Sequence, residues 1–338
     1  MDKKTREDII KLSQNENPFG ASPYALKAIR EHELSINRYP EPHSSTLKTE
    51  LADHFGLTPD NIFVSAGSIE ALDILIRNFI GKGENLIIPK LTFVACKIIA
   101  EVFGVETKFS EMRDYNIDIG SIIENQDEQT RMIIVASPNN PTGTIITEKE
   151  LIRLLENVSP HTFVIVDEAY CEYVSDVDYP DTIGLQNIYP NLIVLRTFSK
   201  IYGLAGLRVG YAIATKEIVE QLEHYQPPFT VNRLATVAAS ASIKDKQYVN
   251  DSFKVNMETR SIIEKEIKGL GYNIVPSQGN FIFIHFDSIE ERNLIFDRLN
   301  SKNVFARKMD YFGDPQAFRL TIPKPRNCQS VIDCFNYT

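Results

Sequence analysis

Between Asn61 and Gly210 the chain alternates short, uniformly apolar runs with segments whose apolar positions recur every three or four residues. The runs are "NIFVS", "NLIIP", "RMIIVAS", "TFVIVD" and "NLIVLRT". Half-exposed strands alternate apolar with polar positions; runs this continuous predict strands buried on both faces. The segment "SIEALDILIRNFIG" predicts a helix, with Ile69, Leu72, Ile76 and Phe79 at helical spacing and Gly81 as its stop. In "TEKELIRLLENV", Thr147 and Glu150 form a capping box that opens another helix. Strand–helix–strand alternation is the signature of an α/β fold with a mostly parallel sheet flanked by helices.

After about Pro227 the rhythm changes. A long helical stretch to Leu270, the run "NFIFIHF", a helix through "RNLIFDRLN" and a short strand "FRLTI" predict a smaller α+β unit. The first thirty residues, with the turn-forming "NENPFG", are expected to form an arm rather than a core element. The expected division is therefore an arm over 1–30, a large domain over 31–230 and a small domain over 231–338.

Composition narrows the function. A length of 338 residues with 43% hydrophobic and 24% charged residues suits a soluble globular chain of one or two domains. The net charge of −9 supplies no basic footprint for nucleic acid or an anionic membrane surface. No apolar run reaches the length of a membrane span and the N-terminus has no secretory apolar core, so a cytoplasmic location is expected. Four scattered cysteines predict free thiols, and six histidines without an HxxxH pair predict no metal site.

In open α/β sheets, ligands bind beyond the carboxyl ends of the strands. "VSAGSIEAL" passes from strand to helix through Ala66, Gly67 and Ser68, presenting backbone N–H groups suited to a phosphate; the same residues also suffice simply to start a helix. Asp167 ends a buried strand and can pair with a cationic ring nitrogen or cap the next helix, whereas a Walker-type magnesium role lacks its GxxxxGK[ST] loop. In "SPNNPTG" two prolines make a rigid loop that can hold an asparagine against a ligand, with one or both X–Pro bonds open to the cis form. "TFSKIYGLAGLRVGY" places Lys200 between Ser199 and a tight glycine-containing turn, with Arg208 close behind to meet a phosphate. A lysine for an aldehyde, a phosphate cradle, a carboxylate for a ring nitrogen and a fixed asparagine together meet the needs of pyridoxal 5′-phosphate.

With these motifs in this order, the sequence closely resembles the class I/II, fold-type I aminotransferases, and within them the histidinol-phosphate aminotransferase group. The resemblance spans nearly the whole chain, from "NENPFG" and "RYPEP" to "FRLT". It implies that Lys200 is the Schiff-base lysine, that Asp167 holds the pyridine nitrogen protonated, and that Asn140 and Tyr170 bond the ring's phenolic oxygen. It further implies that Phe93 stacks on the ring and that Ala66, Gly67, Ser68, Ser199 and Arg208 bind the phosphate. Tyr39 would reach that phosphate from the partner subunit of a homodimer with shared active sites. Arg319 and Arg307 match arginines that receive the substrate's anionic groups, and Asn17 joins them as a substrate residue.

The implied chemistry is amino transfer from a small-molecule donor to a 2-oxo acid such as 2-oxoglutarate, most closely from histidinol phosphate in histidine biosynthesis. Phe93 stands where the family usually has tyrosine, Ile201 where a small residue usually follows the lysine, and "FRLTIPKPRN" lacks the usual glycine. An aminotransferase for aromatic or other amino acids, and a decarboxylase of the threonine-phosphate type, share nearly all of these motifs.

Overall fold

The computed structural model describes residues 9–336, so residues 1–8 of the expected arm lie outside the described residues. Seven strands make the central sheet: β1 (Ile62–Ser65), β2 (Asn85–Pro89), β3 (Glu106–Ser110), β4 (Thr130–Ala136), β5 (Phe163–Asp167), β6 (Leu192–Thr197) and β7 (Gly210–Ile213). Their order is β1-β7-β6-β5-β4-β2-β3. Neighbours are parallel except around β7, which pairs antiparallel with both β1 and β6. Period-two alternation sends Val64, Ile87, Val135, Val166 and Val194 to one face of the sheet and Phe63, Ile88, Ile134, Ile165 and Leu195 to the other. Both faces are covered by helices, which is why the strands read as unbroken apolar runs.

The predicted helix after β1 spans Ser68–Phe79, and Leu72, Ile76 and Phe79 are buried as expected. Each such side chain stabilises the fold by about 1.5–3 kcal/mol relative to its exposed state. Ile69 departs from that stripe: it is 39% exposed, because it lies on the first turn, which faces a cavity instead of the core. The Thr147–Glu150 capping box is present at the start of the helix Glu148–Glu156.

The small domain is an antiparallel sheet of β8 (Asn273–Val275), β9 (Phe281–His285), β10 (Arg307–Lys308) and β11 (Ala317–Thr321), in the order β8-β9-β11-β10. It packs on the helices Lys246–Gly269 and Ile289–Ser301 through Ile263, Ile267, Ile295 and Leu299.

Two elements sit differently from the expected division. The helix Arg233–Lys244 buries Ala235, Ala238, Ala239 and Ile243 in the core of the large sheet, so that core continues past residue 230. The N-terminal stretch is also more than an arm. Leu12 belongs to the small-domain core and Ile10–Lys11 pairs with Val304–Phe305, while Ala25 of the helix Pro23–His32 is buried in the large core. The described residues contain no helix long and apolar enough to cross a membrane and no cluster of potential metal ligands. All four cysteines are free.

Candidate active site

The carboxyl ends of β1, β5 and β6 converge on a cavity of about 540 Å³ that β10 and β11 of the small domain close from the other side. A larger cavity of about 680 Å³ lies away from the strand ends, against the helices Pro23–His32 and Arg233–Lys244. It contains none of the residues singled out for chemistry. The smaller cavity gathers Ser68, Phe93, Asn140, Asp167, Tyr170, Ser199, Lys200, Arg208, Arg307 and Arg319 from across the sequence. Four of its lining residues are basic, and only Asp167 and Glu16 are acidic; Glu16 is paired with Lys11 at 3.1 Å. The cavity therefore carries a surplus of positive charge suited to an anionic ligand.

Asp167 ends β5, and its Oδ1 accepts the Ala169 N–H at 3.1 Å. Burial pushes its carboxyl up to about 6, opposed by that bond and by the charge of Lys200, with Glu168 adding a smaller upward push. Glu168 itself is turned away into the protein. It is wholly buried and ion-paired with Arg196 at 2.7 Å. The Tyr179 hydroxyl beside it donates to the Ser137 carbonyl at 2.6 Å, which holds the start of the "SPNNPTG" loop.

The two asparagines of that loop divide the work. Asn139 is spent on structure: its amide nitrogen donates to Leu91 O and Thr142 Oγ1, each at 2.9 Å, and its oxygen accepts from Thr92 at 2.8 Å. Asn140 lines the cavity and its amide oxygen accepts from Arg319. That orients the Asn140 NH2 group as the half of the amide still able to donate to a ligand. The Ser137–Pro138 bond is cis.

At the phosphate-type cradle, Gly67 adopts φ 80°, and a Cβ there would stand 2.4 Å from Arg208 Nη2. Glycine thus lets the guanidinium lie against the start of the helix Ser68–Phe79. Arg208 Nη1 donates to Ser199 Oγ at 3.2 Å. Ala66 differs from expectation: its N–H donates to the Glu70 carboxylate at 2.6 Å and is not offered to the cavity. The Gly67 N–H likewise turns back to Ser65 O at 2.8 Å. The first turn beginning at Ser68, together with Arg208 and Ser199, remains for an anion.

Arg319 of β11 is 5% exposed, donates to Ser13 O at 2.9 Å, and its Nε has no partner among the described residues. Desolvation, reinforced by the neighbouring charge of Arg307 and opposed by Tyr170, pushes its guanidinium down to about 10. A buried cation in this condition gains from an arriving anion.

Successive residues of the N-terminal segment each meet one of these groups. Ser13 O accepts from Arg319, Gln14 O accepts from Lys200 Nζ at 3.3 Å, and Asn15 Nδ2 donates to Tyr170 Oη at 2.9 Å. No periodicity signals these three residues; the stretch was marked only by the polar "NENP", which begins at Asn15. Asn17 is not in the cavity. Its amide nitrogen donates to Ile201 O at 2.7 Å and Tyr248 Oη at 3.1 Å, which ties the segment to the loop after Lys200. Tyr39 is 78% exposed, stacks on Phe229 at 4.8 Å, and lies outside this cavity of its own chain.

A family model for aminotransferase class I and II matches residues 7–335. The histidinol-phosphate aminotransferase of Brevibacillus brevis is 38% identical over 315 residues, covering 93% of this chain and 86% of the relative. Histidinol-phosphate aminotransferase 2 of Pseudomonas fluorescens is 37% identical over 317 residues, covering 94% and 85%. Among solved structures, a protein of Erwinia carotovora atroseptica superposes with a TM-score of 0.91 at 28% identity, covering 97% of this chain and 95% of that one. The Sinorhizobium meliloti histidinol-phosphate aminotransferase, solved in complex with pyridoxal-5′-phosphate, shares the fold with a TM-score of 0.90 at 24% identity, covering 96% and 89%. The sheet order, the strand-end cavity and a family match that runs almost from end to end agree: this chain belongs to the class I and II aminotransferases.

Proposed function

We propose that this aminotransferase binds pyridoxal 5′-phosphate and moves the amino group of L-histidinol phosphate to 2-oxoglutarate, a step of histidine biosynthesis. The observation that carries the reading is the pair Arg307 and Arg319, which stand opposite each other on β10 and β11 and face the same cavity as Lys200. Two arginines on one wall suit the phosphate ester of a substrate. The relatives' names favour the same substrate.

The residues present fit the cofactor. Ser68, Ser199 and Arg208, with the glycine-cleared start of the helix, suit its phosphate. Asp167, whose carboxylate among the described residues accepts only the Ala169 N–H, suits the ring nitrogen, while the Asn140 NH2 group and the Tyr170 hydroxyl suit the ring oxygen. Phe93 lines the cavity where it can cover a face of the ring. Pyridoxal phosphate supplies an electron sink for the charge left when a Cα proton is removed. Lys200 would hold the cofactor through its side-chain amine and is the group placed to take a Cα proton as a base. Asp167, ionised, would keep the ring nitrogen protonated.

The remaining assignments extend this reading. Tyr39, exposed here, completes the phosphate site of a second copy in a cytoplasmic homodimer. The chain divides functionally into a cofactor-binding domain, whose core runs past residue 230 through the helix Arg233–Lys244, and a substrate-closing domain built on β8–β11, with the N-terminal segment packed on both. The test is a substrate panel on the purified enzyme with 2-oxoglutarate as acceptor. Histidinol phosphate should exceed unphosphorylated histidinol and phenylalanine by at least about a hundredfold in specificity, since two charge-assisted bonds contribute about 1.5–3 kcal/mol each. Equal or better use of phenylalanine or tyrosine would overturn the substrate assignment in favour of an aromatic aminotransferase; carbon dioxide release from threonine phosphate would overturn it in favour of a decarboxylase.

A further inference from the structure

Asn15 is 1% exposed and its backbone is left-handed, with φ 54°, a conformation asparagine tolerates better than most residues. Four contacts hold it. Its N–H donates to Thr321 Oγ1 at 2.9 Å, its carbonyl accepts from Asn280 Nδ2 at 3.1 Å, and its amide oxygen faces Thr321 Oγ1 at 3.2 Å, the hydroxyl hydrogen being shared between that oxygen and Leu12 O at 2.8 Å. With the oxygen turned to Thr321, the amide nitrogen is left to donate to Tyr170 Oη at 2.9 Å.

That direction of donation matters. A phenol has one hydrogen and two lone pairs. Because Asn15 occupies a lone pair, the hydroxyl hydrogen stays free to be donated into the cavity, and a bond received by the oxygen strengthens the bond it gives. Were the amide reversed, its oxygen would compete with a ligand for that hydrogen. The phenol is otherwise confined. Tyr170 is 4% exposed, and its ring packs edge-on against Phe281 at 5.0 Å.

We propose that Asn15 is a positioning residue that sets Tyr170 as a hydrogen-bond donor to the cofactor's ring oxygen and thereby tunes how tightly the cofactor bound at Lys200 holds its proton. The proposal rests on the pyridoxal-phosphate reading given above. A bond donated to the ring oxygen stabilises negative charge there, so the bound cofactor releases its proton at lower pH. Weakening that bond raises the midpoint.

The test is a pH titration of the visible absorption band of the holoenzyme, without substrate. Asn15→Gly keeps the left-handed backbone and removes the amide; the midpoint should rise by about half a pH unit. Asn15→Asp keeps the shape but adds a negative charge and an acceptor that diverts the tyrosine hydrogen, so its midpoint should rise further. In a Tyr170→Phe background, Asn15→Gly should produce no further shift, because its route of action is gone. A midpoint equal to wild type in the Gly or the Asp variant overturns the proposal, as does an equal Asn15→Gly shift in the Tyr170→Phe background. If the wild type acquires no visible band with pyridoxal phosphate, the cofactor reading falls and the proposal with it. A normal wild-type band with unshifted variants removes the proposal alone.

Discussion

Arg307 and Arg319 are cross-strand partners, directly opposite each other in the antiparallel ladder of β10 and β11. Like charges in this position destabilise a sheet, and here one of the two is buried. The arrangement makes physical sense as half of a site whose other half is an anion. Arg307→Ala should therefore erase most of the preference for phosphorylated over unphosphorylated substrate, a loss of about tenfold to a hundredfold in kcat/KM. It should leave the ligand-free protein at least as stable as wild type. Steady-state kinetics on both substrates and a thermal melt without ligand check the two halves of this expectation.

Lys200 is within reach of the main chain at Gln14 and faces the ring of Tyr170, 5.2 Å from its centroid. Borohydride treatment of the cofactor-loaded protein, followed by peptide mapping, should find the reduced adduct on Lys200. Lys200→Ala should lower turnover by at least about a thousandfold, the scale of losing a positioned acid–base group. An adduct on another lysine would reassign the site.

Asp167 carries a prediction about stability as well as rate. Its carboxyl is raised from 3.8 to about 6 in the folded, ligand-free protein. The native state thus holds this proton more tightly than the unfolded chain, and stability from this group is present below about 4 and lost as pH rises through about 6. Asp167→Asn should make the ligand-free protein more stable than wild type at pH 8, by about 1–3 kcal/mol, and remove that part of the pH dependence. The same variant should lose turnover by several orders of magnitude, because the ring nitrogen loses its counter-charge. Urea unfolding at pH 5 and pH 8, with kinetics alongside, measures both effects.

Gly203 has φ 69°, and a Cβ on it would stand 1.9 Å from Gly20 O. The turn after Lys200 approaches the N-terminal segment too closely for any side chain. Gly203→Ala should destabilise the protein by more than about 2 kcal/mol, combining the left-handed backbone cost with the backbone clash. A lowered Tm, accompanied by weaker cofactor retention, is the expected result.

Much of the large sheet was legible in the chain because β1, β2, β4, β5 and β6 are covered on both faces and so spell out apolar runs. β3 was not, since an edge strand such as "ETKFS" keeps polar, partly exposed residues. The antiparallel direction of β7 was hidden for another reason: strand composition carries no arrow. That Lys200, Asp167 and Asn140 line one cavity could be anticipated because each ends or closely follows a buried strand, and Arg208 because it lies in the loop that follows Lys200. Ala66 and Asn17 were misread at the level of atoms, where Glu70 and Ile201 claim the groups that the motif offered. Asn15 lay within the noted "NENPFG", but its role could not be read. Its role depends on Tyr170 and Thr321, which no local pattern connects to it.

The bond between Asn15 and Thr321 joins residues 306 positions apart, and this gives the site a birth order. A ribosome adding about 5–20 residues per second finishes β7 roughly 5–20 s before it delivers β11. During that interval a growing chain already carries Lys200 and Asp167, yet has neither the buried arginine nor the threonine that anchors the opening segment. The anchor on Asn15, and with it the tether on Tyr170, forms only after β11 has been made. Completion of the cavity thus waits for the synthesis of β11, and a chain cut short before it carries Lys200 without the wall that closes the cavity.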